Sequence, residues 1–147
     1  MKNLLPLFLF LLFNFSAKAQ SLRSELIETT GSINSILSQN KGVRFINQEH
    51  NGYNLRKINA NLNGDVFSVD SLTSDATKFN YKIFNLLEVK SFVSIENEIK
   101  VMDKNQKKIG KIVNVRNQDM QELIKKFDAV QFICITYSKL DPKFKCE

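Results

Sequence analysis

A serine or cysteine nucleophile needs a histidine to accept its proton, and the 147-residue sequence contains one histidine, His50, beside Asn51-Gly52. In a turn-forming stretch of this kind a histidine is ordinarily a solvated corner residue. With Cys134 and Cys146 as its only cysteines, the chain has no zinc-ligand spacing. The five glycines, Gly31, Gly42, Gly52, Gly64 and Gly110, are scattered and make no phosphate-cradling loop. No metal and no cofactor is therefore expected. Two acids, Glu96 and Glu98, flank Asn97, and glycoside hydrolysis needs only a well-placed carboxylate pair. One of the pair must be held protonated in a closed cleft, whereas these two fall at the end of a predicted hairpin. Convergence of Glu96, Glu98, Asp103 and Asp70 in one concave pocket would mark a hydrolase.

The remaining chemistry is electrostatic. Lys100, Lys104, Lys107, Lys108 and Lys111 crowd one predicted hairpin. Alternation along a strand would put Lys107 and Lys111 on one face, a candidate contact for an anionic surface. The same run also suits a solvated edge that discourages sheet-to-sheet aggregation. Lys125 and Lys126 belong to the polar face of a predicted helix.

Compartment follows from the first residues. Lys2 precedes an apolar run from Leu4 to Phe13, interrupted only by Pro6, and Ala17 and Ala19 give the small-x-small pattern read by signal peptidase. The run is shorter than the roughly 20 residues of a spanning helix. A signal peptide over 1–19, cleaved after Ala19, and a single small domain over 20–147 are expected, with no membrane span in the mature form. No cysteine stands at the junction to carry a lipid. The mature protein is then secreted or periplasmic. Loss of Lys2 and Lys18 lowers the net charge from +6 to +4, and outside the cytoplasm a protein or envelope component is a more accessible partner than nucleic acid. That compartment permits a Cys134–Cys146 disulfide; the alternative is a buried free thiol at Cys134 and a loose one in the tail.

Several elements must position these groups. Leu22, Leu26, Thr30, Ile33, Ile36 and Leu37 share one helical stripe over 21–39, with Ser21 as a cap and Gly42 just past the end. Asn51-Gly52 and Asn63-Gly64 suit two-residue hairpin loops. Those loops would set Phe45 opposite Ile58, Ala60 opposite Phe67, and Ile58 opposite Val69. A three-stranded meander over 43–70 results, with Val43, Phe45, Ile58, Ala60, Leu62, Phe67 and Val69 on its apolar face. Residues 75–89 fit either a helix or a strand, and Phe79, Tyr81 and Ile83 tilt the choice toward the strand. Ser91–Glu96, Glu98–Asp103 and Lys107–Val115 read as strands. A helix opens at Asn117 or Asp119 with the stripe Met120, Leu123, Ile124 and Phe127; residues 130–137 either continue it or form a separate strand.

Taken in order, Phe84 to Val89, Glu98 to Asp103, Lys107 to Val115 and Gln121 to Ile124 resemble the second half of a pleckstrin-homology-like (PH-like) domain. The resemblance covers roughly residues 43–135. It implies an α+β fold in which about seven antiparallel strands form a partly open barrel, with an N-terminal helix added and a C-terminal helix capping one end. It also implies a scaffold for protein or small-ligand contact. In lipid-binding members the first hairpin loop is basic, whereas His50-Asn51-Gly52 carries no Lys or Arg. The expected function is an exported, non-enzymatic binding module, with a carboxylate-based hydrolase and an inhibitor or immunity-type protein as alternatives.

Overall fold

The computed structural model describes residues 4–70 and 79–140, with side chains described for 14–69 and 81–140. Helix α1 spans Leu4–Gln39 and is followed by eight strands: β1 (Arg44–Asn47), β2 (Gly52–Asn54), β3 (Ile58–Ala60), β4 (Asp65–Asp70), β5 (Phe79–Asn85), β6 (Val89–Ile95), β7 (Glu98–Asp103) and β8 (Lys108–Val113). Helix α2 spans Asn117–Leu140. The strands make two antiparallel sheets, one of five in the order β2-β1-β8-β7-β6 and one of three in the order β3-β4-β5. Both open choices are resolved: residues 79–85 are strand and residues 130–137 are helix.

The helices join the sheets through their apolar stripes. Leu22, Leu26, Ile33, Ile36 and Leu37 of α1 are buried, as are Met120, Leu123, Phe127, Val130, Ile133 and Cys134 of α2. Four rings tie the layers together. Phe45 of the larger sheet and Phe84 of the smaller one lie 5.3 Å apart, Phe84 and Phe127 of α2 lie 5.9 Å apart, and Phe127 stacks on Phe92 at 5.1 Å. Aromatic pairs at such separations add about 0.5–1.5 kcal/mol each beyond the area they bury. Gly110 makes room for this centre, since a Cβ there would stand 2.4 Å from the Phe45 ring and 2.6 Å from the Ile46 carbonyl oxygen. Gly42, at φ 71°, takes the left-handed position beyond α1. Ser21 is not a cap, because the helix runs on through it toward the N-terminus.

The hairpin corners differ from expectation. Asn61 pairs with Asp65 across the three-residue loop Leu62-Asn63-Gly64, and Gly64 at φ 85° accommodates the left-handed step. The Asn61 carboxamide oxygen also accepts from the Asp65 amide. At the first corner Asn47 accepts from Asn51 in the same way, and His50 takes the left-handed position at φ 64°. Asp103, Gln106 and Lys107 repeat the device.

One extra loop residue shifts the register, so Ile58 pairs with Ser68 and Ala60 with Val66. Val66 and Ser68 consequently face the interior. Phe67 points away from Ile58, contrary to the expected common face. Ser68 offsets its burial by donating its hydroxyl to the Asn54 carbonyl at 2.7 Å. The expected middle strand of the meander is also divided. Leu55 turns fully inward, its amide donating to the Val43 carbonyl while the Lys57 carbonyl accepts from the Val69 amide. The chain thereby crosses from the larger sheet at β2 to the smaller one at β3, and Phe45 pairs with Tyr53 rather than Ile58.

Candidate interaction surface

The lysines converge on the outer face of the five-stranded sheet, but not all as expected. Lys100 of β7 and Lys111 of β8 are direct cross-strand partners on that face. An irregularity after Val101 puts Lys108 opposite Met102. Lys108, and not Lys107, therefore shares the face with Lys111, while Lys104 and Lys107 occupy the exposed corner. Like charges directly opposite one another repel, and Glu98 relieves the repulsion. Its carboxylate lies 2.6 Å from Lys111 Nζ and 3.9 Å from Lys100 Nζ. The Lys111 hydrogen bond, opposed by partial burial and aided by the charges of Lys111, Lys100 and Lys108, holds the Glu98 carboxyl below its ordinary range.

Pairing of β1 with β8 brings further residues to this face, because Arg44 pairs with Val113 and Ile46 with Lys111. On the other flank Val93 pairs with Lys100 and Ile95 with Glu98. Two rows result: Arg44–Val113–Glu98–Ile95 alternates charge with hydrocarbon, and Ile46–Lys111–Lys100–Val93 sets two cations between two aliphatic side chains. Val93 and Ile95 are 38% and 40% exposed. Arg44 has no ion-pair partner among the described residues. Its guanidinium lies over Gly52, whose missing side chain leaves it space. Sequence reasoning placed Arg44 on a wet face but did not link it to the lysines, since the β1–β8 pairing joins residues more than 60 positions apart.

Among the described residues Glu96, Glu98 and Asp103 do not converge. Glu98 and Asp103 stand at opposite ends of β7, about 17 Å apart at strand rise. Glu96 is exposed at a two-residue corner with φ 54°. The Asp103 carboxylate accepts from the Asn105 and Lys107 amides, and the side chain of Asp70 lies outside those described. A general acid needs a raised pKa, and that of Glu98 is shifted the other way. His50 is an exposed corner residue. Cys134 is a free, fully buried thiol, which burial pushes up to about 11. Its expected partner, Cys146, lies outside the described residues. Among the described residues no group of acids, histidines or cysteines is placed to hold a metal.

Two antiparallel sheets packed over one aromatic centre, with a C-terminal helix closing an end, make an α+β fold of PH-like architecture. No family model matches the sequence, and no curated protein matches it. Among solved structures the chain is similar to the PH domain from PfAPH, at 12% identity, a TM-score of 0.45, and coverage of 72% of this chain and 91% of that one. Among the described residues no helix is long and apolar enough to cross a membrane.

Proposed function

We propose that this chain is an exported, non-enzymatic interaction module that holds a protein or envelope component against the outer face of its larger sheet. The observation carrying the reading is that face itself, where exposed and half-buried aliphatic side chains stand among cations. The solvent-facing side of a sheet contacts another macromolecule more readily than it encloses a small substrate, for which a concave site is the usual form. The export part rests on the sequence pattern at 1–19 and is compatible with the core. Residues 14–21 are exposed apart from the half-buried Ala19, and the first buried side chain is Leu22. Cleavage after Ala19 therefore removes no fully buried side chain among those described.

The reading is tested by titrating fluorescently labelled protein, purified after export, onto the envelope fraction of its native cell. Saturable retention that unlabelled protein competes away is expected. Retention that rises linearly and resists competition would remove the reading.

A further inference from the structure

We propose that the two rows on the outer face of the five-stranded sheet form a docking surface for an acidic protein, one whose contact strip combines carboxylates with aliphatic side chains. This inference rests on the interaction-module reading and names the partner class for the same face. Three cations, Arg44, Lys100 and Lys111, confront one carboxylate, Glu98, within the rows. Lys111 is engaged by Glu98 at 2.6 Å, whereas Lys100 at 3.9 Å is held loosely and Arg44 has no ion-pair partner among the described residues. The surplus is positive, and Lys108 on the same face, with Lys104 and Lys107 at the adjoining corner, extends it. An acidic partner would meet Arg44 and Lys100 with carboxylates and be steered toward them as it approaches.

The apolar members decide between a protein and a lipid surface. Ile46, Val93, Ile95 and Val113 are short and β-branched, the first and last half-buried and the middle two exposed. Membrane-seated surfaces drive aromatic or long aliphatic side chains several ångströms past the headgroups, and nothing on these rows projects in that way. Neighbouring strands place hydrocarbon and charge about 4.8 Å apart, a spacing suited to the side chains of a folded partner. With β2 included, the face spans about 400 Å² by strand spacing and rise. That is about half of what each partner contributes to a stable complex, so the contact belongs to the transient class.

The test uses the full chain in its native cell, with a photo-crosslinking benzoylphenylalanine at Val93 and, in a separate strain, at Phe132 of α2 as a surface control. Phe132 is 69% exposed and lies away from the sheet face. The expected result is a discrete protein adduct at position 93, absent at 132, whose crosslinked peptide carries a net negative charge. Its yield should fall at least about tenfold with Arg44→Glu and Lys100→Glu together, which leave the Lys111–Glu98 bond in place, and should also fall with Lys104→Glu and Lys108→Glu together. Lys125→Glu on α2 should leave the yield unchanged. Thermal melting of each variant separates lost docking from lost folding, and a variant that melts early is set aside in favour of the other pair. A lipid-mass adduct at 93, or a yield indifferent to both charge reversals, overturns the inference. An adduct at 132 alone overturns this face while leaving the module reading intact. No adduct at either position, together with no saturable envelope retention, overturns both.

Discussion

Asn34 of α1 closes the free edge of β3 by pairing its side chain with the backbone of Ile58. The carboxamide nitrogen donates to the Ile58 carbonyl at 3.0 Å, and the carboxamide oxygen accepts from the Ile58 amide at 2.7 Å. One side chain thus does for the three-stranded sheet what a fourth strand would do, and it fixes α1 against that sheet. Asn34→Leu leaves both backbone groups part-buried and unpaired. A loss of about 1–3 kcal/mol is expected, measured as a lower urea midpoint. Asn34→Asp keeps the acceptor and should fall between the two. A loss smaller than about 0.5 kcal/mol for the leucine variant would mean that the edge is satisfied in another way.

The helix ends meet through Asn40 and Asp119. Asn40 is buried, donates to the Ile36 carbonyl and to the Asp119 carboxylate, and accepts from the Arg116 amide. Asn40 in the first place, then Arg116, holds the Asp119 carboxyl below its ordinary range against a smaller opposing effect of burial. A carboxyl depressed in the folded state contributes stability that is present above its unfolded pKa and disappears as pH falls through its folded one. Stability should therefore decline on acidification below about pH 4. The Asn40→Ala variant should be less stable at neutral pH and show a shallower acid slope. Urea titrations at several pH values measure both effects, and parallel slopes would contradict the account.

Two glycine-to-alanine substitutions should act with opposite sign. At Gly110 a Cβ would press on the Phe45 ring and the Ile46 carbonyl, a strain of about 1–3 kcal/mol in a packed core. At Gly31, inside α1, a Cβ meets nothing within 4 Å, and alanine should stabilise the helix by up to about 1 kcal/mol. Paired melting curves decide the matter, and a neutral Gly110→Ala would show that β1 and β8 are not so close.

Burial raises the Cys134 thiol to about 11, so Cys134 should resist thiol reagents in the native protein. The folded pKa lies above the unfolded one. The neutral thiol therefore takes nothing from stability below about pH 8.5, and stability declines as pH rises from there toward 11. Because the Cys134 thiol is free in the structure, denatured, unreduced protein should take up two alkyl groups by intact mass. Uptake only after reduction would establish the Cys134–Cys146 bridge instead.

The parts of the fold carried by local pattern were legible from the residues. The α2 stripe through Met120, Leu123 and Phe127, the bounds of β7, and the three-residue corner at Lys104-Asn105-Gln106 all follow from periodicity and turn chemistry. Reading Asn51-Gly52 and Asn63-Gly64 as two-residue corners misassigned Phe67, because the Asn47 and Asn61 side chains pin longer loops and His50 accepts the left-handed position. The corner built on Asp103 follows the same scheme, and an Asn or Asp four or five residues before the next strand was the available signal. The interaction surface was half legible. The lysines announced themselves, whereas Arg44, Ile46 and Val113 join them only through a strand pairing that local sequence does not encode.

The compartment underlies the whole functional account, and the intact mass of the protein recovered from its native extracytoplasmic fraction tests it most directly. A polypeptide beginning at Gln20, two residues before the buried Leu22, is the predicted result. A chain still beginning at Met1 and confined to the cytoplasm would contradict it.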